Sequence, residues 1–195
     1  MNDRFGNKDQ KKAIVIGGSA GSIPVLNKIL GGLPSNFPFP IIVCLHRMKN
    51  VSEGMAEVFE KDSANKVTEP NDKDLISKGR VYIAPSNYHL LVEQDFTFSL
   101  STDVLENYSR PSIDITFQSC SEVYQSALIG ILLTGANKDG VQGMCMLKKN
   151  GAITIAQDPN ECTAPYMPQA AIEKHCIDHI FSSDQIIDFL TDLAV

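Results

Sequence analysis

The stretch AIVIGGSAGS, residues 13–22, places a serine in a glycine-rich bend directly after four apolar residues. Residues 17–21 (GGSAG) fit G-x-S-x-G, the strand-to-helix bend that exposes a serine hydroxyl at the carboxyl end of a sheet. The same residues also suit a nucleotide-binding turn, with glycines for close phosphate approach and Ser22 as the N-cap of the next helix. This segment alone leaves both interpretations open, with Ser19 either a nucleophile or part of a turn.

Apolar runs typical of buried strands alternate along the chain with segments of helical spacing. Strands are predicted at 13–16, 41–45, 128–133 and 152–156, and helices at 23–30, 51–61, 112–125 and 139–149. This alternation predicts an α/β fold with a doubly wound, Rossmann-like and mostly parallel sheet covered on both faces. Residues 80–100 hold three strand-like runs with too little sequence between them for helices, which predicts a hairpin with an antiparallel strand.

The composition narrows the class of protein. With 195 residues and 43% hydrophobic content, the chain can bury one core of ordinary size. We expect a polar arm over residues 1–12 and a single domain over residues 13–195. The net charge is -6 and basic residues cluster no further than pairs, which disfavours a nucleic-acid-binding surface. Since there is no signal-like segment and no apolar run of ~20 residues, we expect a cytoplasmic protein without membrane insertion.

The cysteines and histidines predict neither a disulfide framework nor a metal site. The five cysteines are odd in number and include no C-x-x-C pair, so we expect most of them to be small buried apolar residues. His175 and His179 have the spacing of a helical metal pair, but the residues between them predict that the helix ends there. His89 lies in the predicted hairpin, where we expect a partly exposed strand residue.

The second predicted strand separates the two interpretations of the first bend. In a dinucleotide-binding fold an acidic residue follows this strand and reads the ribose, whereas here the strand ends in His46 and Arg47. The fingerprint G-x-G-x-x-G is also absent, because Ser19 occupies the place of its second glycine. Parallel strands joined by one short helix usually lie side by side, so His46 is expected within reach of Ser19 as its general base.

A carboxylate follows a third predicted strand. Asp139 lies in TGANKDG, residues 134–140, where by itself it could be a helix-capping aspartate. Together with Ser19 and His46, however, it would lie in the crevice beyond the carboxyl ends of the strands, where open α/β sheets bind ligands. The three residues predict a Ser-His-Asp hydrolase whose chain order differs from the Ser, Asp, His order of α/β-hydrolases.

From about residue 13 to its end, the chain resembles the chemotaxis-type protein-glutamate methylesterases, the family of the CheB catalytic domain. The blocks that carry the resemblance, in the order of the family, are AIVIGGSAGS, IIVCLHRM, GRVYIAPSNYHLLV, RPSIDITFQS, ILLTGANKDGVQGM, GAITIAQD and MPQAAI. The resemblance implies a three-layer fold with a hairpin at one sheet edge and a catalytic triad of Ser19, His46 and Asp139. It also implies hydrolysis of glutamate methyl esters on cytoplasmic chemoreceptor helices without a cofactor, and for many members deamidation of glutamines.

The sequence departs from the family at two bends. Members commonly have a small-Thr-Gly-Gly bend after the serine and a methionine after the Thr-Gly of the aspartate loop. Here Ala20, Gly21 and Ser22 follow the serine, and Ala136 with Asn137 stands in the aspartate loop. An oxyanion hole made by backbone N–H groups near Ala20 and Ala136 would survive these changes. A catalytically silent receptor-binding adaptor and a nucleotide-binding module stay open as alternatives.

Regulation is a further point of difference. Many members carry an N-terminal phosphorylatable receiver domain that covers the active site, whereas only 12 residues precede the first strand predicted here. We therefore predict no receiver domain and no phosphorylation switch within this chain. Activity would then be constitutive or controlled by a separate regulatory protein.

Overall fold

The structure is a computed structural model that describes residues 12–46 and 54–194. Its strands are β1 Ala13–Gly18, β2 Ile41–Leu45, β3 Lys66–Thr68, β4 Arg80–Ile83, β5 His89–Val92, β6 Phe98–Ser101, β7 Leu128–Leu132, β8 Ile153–Gln157 and β9 His179–Phe181. Its helices are α1 Ser22–Gly32, α2 Met55–Glu60, α3 Ile113–Tyr124, α4 Val141–Lys149, α5 Tyr166–Glu173 and α6 Ser183–Asp192. All pairings within the seven-stranded main sheet are parallel, and its order is β3-β4-β2-β1-β7-β8-β9.

The strand order places a topological switch point at β1. The earlier strands β2, β4 and β3 extend the sheet on one side of β1, and the later strands β7, β8 and β9 extend it on the other side. Gly18 is paired with Leu45 of β2, and Gly17 with Leu132 of β7. The residues that follow these three strands therefore share one crevice at the carboxyl edge, the usual ligand position in open α/β sheets.

Helices cover both faces of this sheet. Alternate residues of β1 point to opposite faces, so Val15 joins one buried cluster and Ile16 the other. The first cluster also holds residues of α3, α4 and α5, and the second holds residues of α1, α2 and α6. The three-layer α/β fold predicted from the sequence is confirmed.

Most predicted elements fall where the structure has them. The four predicted strands coincide with β1, β2, β7 and β8, and the predicted helices with α1, α2, α3 and α4, although residues 51–53 lie outside the described part. The predicted hairpin is β5 and β6, which pair antiparallel as a separate two-stranded sheet. It is anchored on α3, where Thr116 Oγ1 donates to the Leu90 carbonyl at 2.9 Å and Ser119 Oγ accepts from the Val92 amide at 3.1 Å. The hairpin thus covers a helix and does not extend the edge of the main sheet.

One cysteine pair differs from the prediction. Cys145 of α4 and Cys176, which follows α5, form a disulfide across a separation of 31 residues. An odd cysteine count excludes full pairing but not a single bridge, and the packing of α4 against α5 brings this pair together. Cys44 and Cys120 are buried as expected, and Cys162 is half-buried.

Candidate active site

The bend after β1 holds Ser19 by backbone and side-chain contacts. The Ser19 amide donates to the Thr134 carbonyl at 3.0 Å, and the Ser22 hydroxyl donates to the Ser19 carbonyl at 2.6 Å. Gly21 is the N-cap of α1 in the left-handed region, at φ 80°, where glycine is favoured. Ser22 is therefore the first residue of α1 and not its cap, which differs from the phosphate-binding interpretation of this turn.

Ser19, His46 and Asp139 converge at the carboxyl edge of the sheet. His46 follows β2 and extends the parallel pairing, because its amide donates to the Gly18 carbonyl at 3.2 Å. Its imidazole Nδ1 lies 3.2 Å from Ser19 Oγ, and its Nε2 lies 2.7 Å from Asp139 Oδ2. The side chain of His46 is 12% exposed and that of Asp139 is fully buried. A hydroxyl, an imidazole and a carboxylate are thus linked in one chain that opens to solvent at the hydroxyl end.

The carboxylate of Asp139 lies against the N-terminus of α3. Its Oδ2 accepts the Ile113 amide at 2.8 Å, and its Oδ1 accepts the Asp114 amide at 3.1 Å and the Ser112 hydroxyl at 3.0 Å. Asn107 Nδ2 and the Gly140 amide donate to Oδ1 as well, at 3.0 and 3.1 Å. Asp139 therefore caps α3 rather than α4, whose N-cap is Gly140, and the helix dipole favours its negative charge.

These contacts fix the protonation state of the site. Burial alone would raise the pKa of Asp139, but hydrogen bonds from His46 and from the amides of Ile113 and Asp114 outweigh it and hold the pKa below its usual range. An ionised carboxylate only accepts, so in the neutral imidazole the proton lies on Nε2 and the Nδ1 lone pair faces Ser19. In the serine proteases the two ring nitrogens have the opposite roles.

His89 is a site residue that the sequence analysis misjudged. It was predicted to be partly exposed, but it is fully buried at the start of β5, next to the N-terminus of α3. Its Nδ1 accepts the Ser112 amide at 3.2 Å, and its Nε2 lies 3.0 Å from the Val104 carbonyl, which requires a proton on Nε2. His89 thus holds Ser112, whose hydroxyl reaches Asp139.

Thr134 links the loops that surround Ser19 by hydrogen bonds. It was not among the candidate residues chosen from the sequence. Its hydroxyl lies 3.0 Å from the Ala20 carbonyl and 3.1 Å from the Ala164 carbonyl, and it accepts the Ala164 amide at 2.9 Å. Its own backbone carbonyl accepts the Ser19 amide. The residue is fully buried, and the signal that could have found it is its place directly after the strand run 128–133.

The two predicted oxyanion residues lie in the loops that follow β1 and β7. Ala20 and Ala136 are exposed, and within residues 12–46 and 54–194 their amides donate to no protein acceptor. The Ser19 amide is already occupied by Thr134. Backbone amides without an internal acceptor can donate to a developing oxyanion, which is the role predicted for Ala20 and Ala136.

A groove of about 860 Å³ lies beside the carboxylate end of the site, between α3, α4 and α5. Its lining includes Asn107, Asp114, Lys138 and Tyr166. Burial and the neighbouring charge of Asp139 raise the pKa of Asp114 to about 6, although the Gly143 amide, which donates to Asp114, opposes the rise. The groove is connected to Asp139 through Asn107, which donates to both Asp114 and Asp139.

The described residues include no group of three or more histidine, cysteine or acidic side chains suited to holding a metal ion. His175 lies beyond the end of α5 at φ 56°, and His179 begins β9, so the two do not share a helix. Over the same part of the chain, no helix has both the length and the apolar character needed to cross a membrane.

A three-layer fold with a parallel central sheet, and with a hydroxyl, an imidazole and a buried carboxylate at neighbouring strand ends, has the layout of an α/β serine hydrolase. The sequence model of the CheB methylesterase family matches residues 14–190. The chain belongs to this family.

Known proteins resemble the chain over most of its length. A protein of Leptospira interrogans named putative protein-glutamate methylesterase/protein-glutamine glutaminase is 43% identical over 182 residues, which cover 93% of this chain and 94% of the relative. A Thermotoga maritima protein-glutamate methylesterase/protein-glutamine glutaminase is 34% identical over 187 residues, which cover 94% of this chain but 54% of the relative. The crystal structure of the Thermotoga maritima CheB methylesterase catalytic domain superposes with a TM-score of 0.90, at 34% identity, covering 94% of this chain and 98% of that one.

Proposed function

We propose that this chain is a serine carboxylesterase that hydrolyses glutamate methyl esters on chemoreceptors, with Ser19, His46 and Asp139 as its catalytic triad. The observation that carries the proposal is the hydrogen-bonded chain from Ser19 Oγ through both ring nitrogens of His46 to the buried carboxylate of Asp139. The names of the relatives supply the substrate class, a glutamate side-chain ester or a glutamine amide on a protein. The proposed partner is the methylated cytoplasmic part of a chemoreceptor.

The geometry supports a two-step mechanism. Ser19 Oγ attacks the ester carbonyl while its proton passes to His46 Nδ1, and the amides of Ala20 and Ala136 donate to the resulting oxyanion. The imidazolium is stabilised by ionised Asp139 and returns the proton to the departing methoxide, which leaves as methanol. Water then attacks the acyl-enzyme with the same nitrogen as base, and the products are a free glutamate side chain and regenerated Ser19.

The same steps fit deamidation of a glutamine side chain, with ammonia leaving in place of methanol. The amide is the less reactive acyl donor, so this second activity depends more strongly on protonation of the leaving group by His46. Hydrolysis by this route consumes only water.

The test compares triad variants by methanol release from a methylated receptor and by labelling with a fluorophosphonate probe. Ser19→Ala should abolish labelling and lower turnover by about 10⁶, and His46→Ala should be about as damaging. Asp139→Asn favours the wrong imidazole tautomer and should lower turnover by about 10⁴. Combining Ser19→Ala with His46→Ala should cost little more than either change alone, because the groups act as one unit.

Ser126→Ala is the matched control, since Ser126 is exposed and precedes β7 at the opposite edge of the sheet. It should label and turn over like the wild type. If the wild-type chain binds methylated receptor but releases no methanol, and Ser19→Ala changes neither result, the chain is a receptor-binding adaptor and the proposal is wrong.

A further inference from the structure

We propose that Asn137 restrains the reactivity of Ser19 by competing with its hydroxyl for the Nδ1 lone pair of His46. The inference rests on the proposed function, because it concerns the nucleophile and base of that reaction. Asn137 Nδ2 lies 3.2 Å from His46 Nδ1, the same distance that separates this nitrogen from Ser19 Oγ.

The orientation of the Asn137 amide follows from its other contact. The Asp139 amide donates to Asn137 Oδ1 at 3.1 Å, and a backbone N–H requires an acceptor. The oxygen end of the side chain is thereby assigned to Asp139, and the NH₂ end faces the imidazole. Asn137 is held between the backbone of the carboxylate and the nitrogen that faces the nucleophile.

The state of His46 makes this contact competitive. Nε2 carries the proton donated to Asp139, and Nδ1 must accept from the NH₂ group of Asn137 that faces it, so Nδ1 is unprotonated and has one lone pair in the plane of the ring. Two donors, the Ser19 hydroxyl and the Asn137 amide, lie at equal distance from that single acceptor. A lone pair shared between two donors makes two weak hydrogen bonds in place of one strong one, so the Ser19 hydroxyl is activated less than in a site with Ser19 alone.

The competition also raises the barrier of the chemical step. When Nδ1 takes the serine proton it becomes a donor, and the N–H of Asn137 then faces another N–H. A contact that is favourable in the resting site and unfavourable in the transition state slows the reaction. Asn137 must therefore turn away before Ser19 attacks. The loss of one neutral hydrogen bond corresponds to a rate effect of about threefold to tenfold.

The experiment measures the second-order rate of Ser19 labelling by a fluorophosphonate probe. Asn137→Ser is the main variant, because a serine hydroxyl can still accept the Asp139 amide but is too short to reach His46. Asn137→Ala removes both contacts. Both variants should label about threefold to tenfold faster than the wild type. Asn71→Ser, an equal change at an exposed residue beyond edge strand β3, is the control and should label at the wild-type rate.

A purely structural role for Asn137 predicts different labelling rates for the two variants. If Asn137 only supported the loop, Asn137→Ser would label at the wild-type rate and Asn137→Ala would label more slowly, and the inference would be overturned. Faster labelling that Ser19→Ala abolishes in the Asn137→Ser background supports it. If Asn137→Ser is labelled and the wild type is not, the inference is also supported, and the restraint by Asn137 is stronger than expected.

A spectroscopic measurement separates this inference from the proposed function. In the Ser19→Ala background Asn137 is left without its competitor at Nδ1, so adding Asn137→Ser should move the ¹⁵N resonance of His46 Nδ1 downfield. This readout needs no catalysis and holds even if no form of the chain is labelled, which would be a failure of the proposed function alone. An unchanged Nδ1 resonance would overturn the inference.

Discussion

At the scale of single residues, the buried carboxylate of Asp139 determines which ring nitrogen of His46 carries the proton. The hydrogen bonds that it accepts come from α3, from the loop before α3, from His46 and from the amide of Gly140. The donors keep the carboxylate ionised, and the ionised carboxylate in turn assigns the imidazole proton to Nε2. The basic nitrogen facing Ser19 is thus a consequence of contacts on the opposite side of the ring.

Ser112→Ala tests the support of this carboxylate. The change removes the hydroxyl that donates to Asp139 Oδ1 at 3.0 Å, and a hydrogen bond to a charged group contributes about 1.5–3 kcal/mol. We expect the free energy of unfolding in urea to fall by about that amount and labelling of Ser19 to slow. Ser121→Ala, at a fully buried serine of the same helix whose contacts are uncharged, should cost less and leave labelling unchanged. Equal losses for the two variants would contradict a special role for Ser112.

Sequence reasoning at this scale reached the three residues that follow strand ends and missed those that support them. The order of the strands that Ser19, His46 and Asp139 follow predicts that all three lie at the same end of the sheet, and the family resemblance predicted the same three residues. Asn137 was noticed only as a departure from the family, and its contact with His46 depends on how the loop after β7 is folded. His89 was misjudged because strand periodicity tells which face a residue is on, but not that α3 covers that face.

At the scale of elements, the close approach of α3 to β1 aligns the two halves of the site. A Cβ at Gly17 would lie 2.4 Å from Ile113 Cγ2 and 2.9 Å from Phe117 Cζ. Only a glycine in β1 lets α3 lie this near, and that placement brings the first amide of the helix to Asp139. The strand that carries Ser19 and the helix that holds the carboxylate are thereby set in one geometry.

Gly17→Ala should disturb both the packing of α3 against β1 and the geometry of the site. Overpacking of a dense core costs about 1–3 kcal/mol, and α3 must move away from β1 to accept the methyl group. We expect a lower free energy of unfolding in urea and slower fluorophosphonate labelling of Ser19. Gly31→Ala, near the end of α1 and away from the site, is the control. A Cβ there would lie 3.2 Å from the Asp62 carbonyl oxygen, a milder crowding than at Gly17, so we expect a smaller change in the free energy of unfolding and labelling at the wild-type rate. Wild-type labelling by Gly17→Ala would show that the α3 position does not control the site.

The sequence analysis predicted the central strands, the hairpin and the first four helices, but not β3, β9, α5 or α6. The fully buried strands β1, β2 and β7 are continuous apolar runs, which makes them recognisable. Strands β3 and β9 have three residues each, too few to show any periodicity, and they were not predicted. The hairpin was predicted, but its seat on α3 rather than at the sheet edge rests on tertiary contacts such as the one between Thr116 and Leu90.

At the scale of the whole molecule, two neighbouring aspartates give the free energy of unfolding opposite pH dependences. The pKa of Asp139 is lowered by its donors, so its stabilisation is present above the unfolded pKa, about 3.8, and is lost as the pH falls through the folded value. The pKa of Asp114 is raised to about 6 by burial and by the charge of Asp139. The folded chain therefore holds a proton on Asp114 at a pH where the unfolded chain has released it, and stability falls as the pH rises from about 4 to about 6.

Asp114→Asn isolates the contribution of Asp114 to the pH dependence of the free energy of unfolding. The asparagine keeps an oxygen for the Gly143 amide but cannot ionise. Relative to this variant, the wild type should lose free energy of unfolding between about pH 4 and pH 6 and then remain at a constant difference at higher pH. Urea unfolding of both proteins, measured at half-unit steps of pH from about 3.5 to about 8, gives this difference directly.

Two comparisons decide how that difference is interpreted. Asp103→Asn removes one exposed carboxylate elsewhere and reports the contribution of net charge alone, so its difference from the wild type should not follow the profile of Asp114→Asn. Asp139→Asn should differ from the wild type most above about pH 4 and progressively less below it, because its pKa shift has the opposite sign. If the difference between the wild type and Asp114→Asn were the same at every pH, Asp114 would titrate alike in the folded and unfolded chains. The statement that burial and the charge of Asp139 raise the pKa of Asp114 would then be wrong.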